Sequence, residues 1–502
     1  MGTNPYRMLR KVITSLTPKY HKLKDKSVFL VLFGISFVIR FPFFFRDYID
    51  RDESTFILMG QSWVDGHLPY TELWDLKPPI TFLFFASSIY VFGKSFLAIR
   101  CLGSILVAIT AFFTYKIGAA TGSKKLGLWA ALACVALQSL FGSLQGVMSE
   151  HICMAFFMPG LFLLTRAKKS IEVLFSGLLM GLAIMTKLNM AYPSLLLGIY
   201  FLYVHIKSGK LGRTILFALC YGGGALLVIG LTLLPYLITD RVEVWWKSVI
   251  LAPLEYTDAR RYSFFKMSPT FLIIAAFIIF AWKKKFLDFT SITIQALLVA
   301  MVGVLFSFIQ GGRINGHYLI QLYPMLIVLV GLALSKIRMP LKVNLTPYLL
   351  IPCFLIPMES YLEYGAIVRN KEKHGTYFNG EGFTVPRFLS KNGQDTQNIL
   401  FLGYHIGYWV LDAKPPTMAA THPSNISRDE LFPFYDNPRK TSLEEVRHIM
   451  EEIRPQTVVI RKNKSIFDGR EVEQNNYMAR YLKEYYTLSA SVDMAEIFQR
   501  LE

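Results

Sequence analysis

Long apolar runs separated by short polar stretches dominate the first 360 residues. The runs are 28–45, 78–93, 97–118, 125–145, 150–165, 171–186, 190–206, 213–237, 268–282, 290–309, 318–335 and 345–360. Crossing ~30 Å of hydrocarbon takes about 17–25 mostly apolar residues as a helix, so these runs predict membrane-spanning helices. Basic clusters set their orientation: Arg7 to Lys26, Lys124-Lys125, Arg166 with Lys168-Lys169, Lys207 with Lys210 and Arg213, Lys283 to Lys285, and Lys336 with Arg338. All of them fall on the cytoplasmic side if 78–93 does not cross. That run opens with Pro78-Pro79, so it is assigned a re-entrant or interfacial course. The expected architecture is all-α and polytopic, with about eleven crossings and the N-terminus in the cytoplasm. The first run follows a basic stretch with no A-x-A cleavage pattern, so it reads as an uncleaved span.

The pattern changes after residue 360. Strand-like pieces at Asn398–Leu402 and Thr457–Arg461 flank a helical stretch, Ser442–Glu452. Residues 361–502 are therefore expected to form a small extracytoplasmic α/β domain, and residues 1–360 the transmembrane domain. There is no glycine-rich phosphate loop, internal repeat or low-complexity tract.

Composition supports this division. The chain has 502 residues, 53% of them hydrophobic and 18% charged, and its mean hydropathy of +0.39 argues against a soluble enzyme. The net charge of +18 invites a nucleic-acid reading. However, residues 361–502 hold 18 basic and 19 acidic residues, so the excess lies between the apolar runs, and no nucleic-acid partner is expected. The five cysteines lie in or beside apolar runs without a CxxC pair, which supports neither a disulfide framework nor a cysteine metal site.

Candidate chemistry gathers on the expected outer face. The first outer loop, 46–77, carries Asp47, Asp50, Asp52, Glu53, Asp65, Glu72 and Asp75 against Arg46, Arg51 and Lys77. Glu150, Lys187, Arg313 and His317 reach the same face from other spans. Ionisable groups at membrane depth are costly and mark functional cavities. Taken singly, each has an ordinary explanation: a solvated carboxylate, a snorkelling lysine or a helix cap. Convergence of carboxylates and cations suits an acid–base group working beside an anionic phosphate.

Three segments of that loop carry a resemblance: Asp50-Arg51-Asp52-Glu53-Ser54, Gly66-His67-Leu68-Pro69-Tyr70 and Trp74-Asp75-Leu76-Lys77-Pro78-Pro79. The loop resembles that of GT-C-type polytopic glycosyltransferases using polyprenyl-phosphate sugars, the protein O-mannosyltransferases and lipid A aminoarabinose transferases among them. Gly181 to Thr186-Lys187, and Arg313 through His317-Tyr318 to Pro324, extend the resemblance across residues 28–335.

The resemblance implies an inverting transfer from a polyprenyl-phosphate-linked donor to an extracytoplasmic acceptor hydroxyl on protein, lipid A or glycan, in the inner (plasma) membrane. Asp52 matches the catalytic aspartate, with Glu53 orienting the acceptor or sharing its role. Lys77 matches the phosphate-binding lysine, and Lys187, Arg313 and His317 are further phosphate candidates. Glu150, Tyr70 and Asp75 are expected around the acceptor or cavity. No cofactor is required on this reading, and Asp50-x-Asp52 is weak support for a divalent cation.

Arg40 and Arg100, near outer span ends, are expected at ordinary lipid headgroups, with the donor lipid phosphate as the alternative. The second large outer loop, 238–267, with Trp245-Trp246, Tyr256 and Tyr262, reads as an interfacial aromatic belt; a lid over the donor entrance is the alternative. A transporter or lipid flippase with an outward polar cavity is the competing functional class, disfavoured by the lack of repeat symmetry. An anchored outer receptor domain is the third.

Overall fold

The computed structural model describes residues 24–47, 51–207, 209, 211–259, 261–337 and 355–501. It is built largely from helices. α1 (Asp25–Arg40) leads through a 3-10 turn, Phe41–Phe45, into α2 (Arg51–Val64). α3 (Pro79–Phe92), α4 (Phe96–Thr121), α5 (Lys124–Leu137), α6 (Ser149–Arg166), α7 (Ser170–Thr186), α8 (Ala191–Lys207) and α9 (Leu211–Ile238) follow. After a short helix, α10 (Ala252–Ala259), come α11 (Phe264–Lys283), α12 (Ile292–Gln310), α13 (Tyr323–Lys336) and α14 (Met358–His374).

Local chemistry starts and stops these helices at the polar stretches. Ser95 and Ser123 cap α4 and α5 by accepting from Ala98 N and Leu126 N, each satisfying a free N-terminal amide. Pro79 opens α3, where its missing N–H costs nothing, and Pro78 before it is held extended at φ −64°, ψ 156°. Close helix contact depends on glycine at α7 and α9: a Cβ on Gly177 would collide with the carbonyl of Tyr221.

Among the described residues, five helical segments are long and apolar enough to cross a bilayer: Asp25–Phe45, Phe96–Thr121, Leu211–Ile238, Phe265–Lys283 and Ile292–Gln310. α9 and α11 turn Leu219, Leu226, Leu272 and Ile273 outward, each about two-thirds exposed. Such faces suit lipid rather than water. α3 has 14 residues and rises only about 21 Å, as do α5 and α13. The expected run 345–360 lies largely outside the described residues. Together these features define a multi-pass membrane protein.

The C-terminal region bears a four-stranded sheet in the order β1-β2-β4-β3, with β1 (Ile399–Phe401), β2 (Thr457–Arg461), β3 (Tyr486–Val492) and β4 (Ala495–Arg500). β1 and β2 are parallel, and the β3–β4 hairpin adds antiparallel on β2. The first two strands and the 442–452 helix coincide with the expected pieces, the helix continuing in π form over His448–Ile453.

The outer-loop region and the sheet region share one apolar core. α14 also runs straight through the expected boundary at 360/361. The main-chain groups of Trp74 bind this region directly: its N–H donates to Met418 O (3.0 Å), and its carbonyl accepts from Thr421 Oγ1 (2.7 Å) and Asn425 Nδ2 (3.2 Å). The Trp74 ring lies 4.2 Å from that of Tyr435.

Candidate active site

The first outer loop is not irregular throughout. α2 occupies 51–64, with Asp52 and Glu53 in its first turn, where the helix dipole favours carboxylates. Adjacent helical residues point about 100° apart, and the two acids accordingly part company. Asp52 faces a cavity. Glu53 turns into the protein, where it is 1% exposed; Arg100 Nη2 donates to its Oε2 (2.7 Å) and Val147 N to its Oε1 (2.9 Å).

Glu53 is therefore part of the scaffold, not a group open to an acceptor. Arg100 also donates to the carbonyls of Phe43 and Arg46. Arg40, equally buried, donates to the carbonyls of Leu144, Gln145 and Gly146. Neither arginine reaches headgroups as expected, because each is consumed by main-chain acceptors left over where helices break.

Lys77 follows α2 on a braced strand of chain. Its ammonium lies 3.5 Å from Asp52 Oδ2, so the two residues on which the sequence reading rests are neighbours. Tyr70 supplies part of the brace. It takes a left-handed φ of 71°, a strained choice for a non-glycine residue, and its hydroxyl donates to the Lys77 carbonyl at 2.5 Å. Tyr236 in turn donates to Pro69 O at 3.0 Å. Tyr70 is fully buried and lines neither cavity, so it positions Lys77 rather than meeting an acceptor.

Two cavities meet at Lys77. One, of about 420 Å³, is polar and lined by Arg51, Asp52, Asp75, Asn315, His317, His422, Asn425, Arg428 and Arg461 among others. The second, of about 320 Å³, lies among the adjoining ends of α7, α8 and α12 beneath α10. Its walls mix Leu188, Tyr192, Leu254 and Phe308 with Lys187, Arg261 and Arg313. Leu76, Lys77, Tyr256 and Tyr318 belong to both.

The electrostatics of the polar chamber are uneven. Burial works to raise the Asp52 pKa, but Lys77, His422, His317 and Lys187 together overcome it and hold the carboxyl below the usual carboxylate range. Burial pushes Asp75 up to about 6, the nearby Asp52 adding to it and Lys77 opposing. Lys77 is driven the other way: burial disfavours its charge, yet Asp52 and Asp75 raise its pKa above normal. Burial lowers His317 against the pull of Glu150, and lowers His422 as well.

Of the remaining candidates, Glu150 is 1% exposed and lines neither cavity, so it stands behind the chamber wall rather than on it as expected. Glu150 forms a buried ion pair with Lys187, with His317 Nε2 3.8 Å away. The Lys187 ammonium also lies 4.2 Å from the centre of the Tyr318 ring. Arg313 borders the apolar-walled cavity and donates to Tyr256 Oη at 2.7 Å. Asp50 lies outside the described residues, and among the described residues no group of His, Cys, Asp and Glu is arranged to hold a metal ion.

Sequence reasoning missed the chamber's far wall: His422, Asn425, Arg428 and Arg461. They come from the C-terminal region, whose balanced charge gives no sign that particular arginines turn inward. Within 238–267, α10 carries Tyr256 into both cavities, a placement that supports the lid alternative.

Comparison with known proteins agrees with this geometry. Residues 76–238 match a family model described as dolichyl-phosphate-mannose-protein mannosyltransferase. No curated protein matches. The structure is similar to crystal structures of ArnT from Cupriavidus metallidurans. For the apo state the TM-score is 0.60 at 12% identity, covering 95% of this chain and 99% of that one. For the undecaprenyl phosphate-bound state it is 0.57 at 13%, covering 95% and 97%. The resemblance read from the motifs therefore holds: the chain has the GT-C fold, and a third of its length matches the mannosyltransferase family model.

Proposed function

We propose that the protein is an integral-membrane inverting glycosyltransferase. It moves a sugar from a polyprenyl-phosphate carrier to an acceptor hydroxyl on protein, lipid A or glycan at the extracytoplasmic face of the inner membrane. On this reading the N-terminus is cytoplasmic and both cavities open outward. The observation that carries it is the Asp52–Lys77 pair, 3.5 Å apart, where an apolar-walled cavity meets a polar one.

The residues divide the labour accordingly. The apolar-walled cavity takes the first part of the polyprenyl chain and brings its phosphate to Lys77, with Arg313 and Lys187 adding positive charge. Cleavage of the anomeric C–O bond leaves a full extra charge on that phosphate, and fixed cations aimed at developing charge make the larger catalytic contribution. Asp52 accepts the acceptor's hydroxyl proton from the opposite face, as inversion requires. A carboxylate held ionised is ready for this but is a weak base. The arriving phosphate occupies Lys77 and so raises the basicity of Asp52 when donor is present. Asp75 and His317 hold the chamber's geometry around it. The family described by dolichyl-phosphate-mannose and the ArnT structure bound to undecaprenyl phosphate support a lipid-monophosphate donor.

The test is to incubate purified protein with a panel of polyprenyl-phosphate sugars and follow transfer or hydrolysis by mass spectrometry. Consumption of at least one donor, lost in Asp52→Asn, is expected. Inertness toward the panel together with movement of intact lipid between leaflets would favour the flippase class.

A further inference from the structure

One side chain sits in the wall between the cavities with an unusual set of neighbours. The Tyr256 hydroxyl on α10 accepts from Arg313 Nη1 at 2.7 Å and from Arg428 Nη1 at 2.8 Å. The same guanidinium carbons lie 4.6 and 5.0 Å from the centre of its ring. A phenolic oxygen offers two acceptor positions and one proton. Both acceptor positions are filled by cations, so the proton must point elsewhere, and among the described residues it has no acceptor. Tyr256 is half-buried with its side chain on the wall of both cavities, and the Nε of Arg428 is buried without a partner among the described residues. Buried donors left unpaired are rare in folded proteins and call for an explanation.

Two unspent donors, one of them on the Arg428 guanidinium, beside the second guanidinium of Arg313 and close to Lys77 at the cavity junction, are the complement of a phosphate group. Resting on the donor reading above, we infer that Tyr256 and Arg428 are further ligands of the donor phosphate, so that the C-terminal region completes the donor site. The three groups come from three parts of the chain: Arg313 from the membrane bundle, Tyr256 from the lid helix and Arg428 from the C-terminal region. A phosphate held by all of them pins the lid against both bodies. This gives the C-terminal region a task in catalysis that its sequence does not advertise.

Undecaprenyl phosphate and uncharged undecaprenol, titrated against the full-length protein in nanodiscs and read by native mass spectrometry, test this. Tyr256→Phe and Arg428→Gln are each expected to weaken undecaprenyl phosphate binding about tenfold or more, since each removes a donor to a charged group. Undecaprenol binding should stay unchanged, which a merely structural role would not leave untouched. Arg428→Lys should recover part of the loss, and the double variant should lose less than the product of the singles because the groups share a hydrogen bond.

Wild-type affinity in both variants overturns the inference alone. Loss of affinity for inorganic phosphate with undecaprenyl phosphate unaffected also overturns it, by moving the site to another phosphate. A wild-type protein that does not prefer undecaprenyl phosphate to undecaprenol overturns the donor reading itself. If Arg428→Gln fails to fold, the near-isosteric Tyr256→Phe decides.

Discussion

Asp52→Asn separates the base from the phosphate site more sharply than any other single change. The amide keeps the shape of the side chain and removes its charge. Loss of a positioned general base costs about 10²–10⁴ in the chemical step, or about 3–5 kcal/mol of transition-state stabilisation. Donor binding should move in the opposite direction. Asp52 shares the Lys77 ammonium at 3.5 Å, and a phosphate pairing with that ammonium from its other side would stand about 6 Å from the carboxylate. Two like charges at that separation repel by about 1–3 kcal/mol between water-like and surface-like dielectrics. The Asp52 side chain is 34% exposed, so the lower end applies, and undecaprenyl phosphate should bind about 3–10-fold tighter.

The assay pairs single-turnover transfer by mass spectrometry with equilibrium binding of undecaprenyl phosphate to the same preparation. Undiminished transfer would remove Asp52 as the base. A donor affinity more than about tenfold weaker in folded protein would show that the carboxylate ligates the donor instead of competing with it for Lys77.

Lys77→Ala should weaken undecaprenyl phosphate binding by about 10–100-fold, the loss of one charge-assisted contact, with undecaprenol binding as the control. Glu53→Gln leaves the fully buried Arg100 guanidinium without its counter-charge, so a stability loss of about 3–5 kcal/mol is expected, read as a lowered thermal midpoint in detergent; an unchanged midpoint would refute its scaffold role. Asp75, pushed up to about 6, binds its proton more tightly folded than unfolded. Its linkage therefore lowers stability as pH rises from about 4 to about 6 and is level above that; Asp75→Asn should flatten this slope in midpoints measured across the window.

What could be read beforehand follows the physics of each signal. Spans declare themselves through composition, because hydrocarbon admits little else, and the boundaries of α4, α7 and α9 fall within a few residues of the expected runs. β2 spans the same Thr457–Arg461 stretch as expected, a β-branched run with a turn on either side. The β3–β4 hairpin was not legible: β3 begins at Tyr486, immediately after the helix ending at Tyr485, and its exposed face breaks the apolar pattern. Asp52 and Lys77 were legible because motif spacing tied them together. Glu53 was misassigned because adjacency in sequence says nothing about direction around a helix. The inward arginines of the C-terminal region were invisible, since burial of a cation depends on partners far away in the chain.

The shared ammonium has a kinetic consequence that can be measured without any mutation. In the free enzyme Lys77 opposes the effect of burial and helps hold Asp52 ionised below the usual carboxylate range. In the donor complex the same ammonium faces a phosphate, whose negative charge offsets it and adds its own field at about 6 Å. Both changes disfavour the ionised carboxylate, so its pKa rises on donor binding. The profile of kcat/KM reports groups in the free enzyme and that of kcat reports the complex. The acid limb of kcat should therefore lie at higher pH than the acid limb of kcat/KM, and Asp52→Asn should abolish both limbs along with most of the rate. Limbs at the same pH, or in the reverse order, would mean that Asp52 and the phosphate do not share Lys77, and the coupling between donor arrival and base strength would have to be given up.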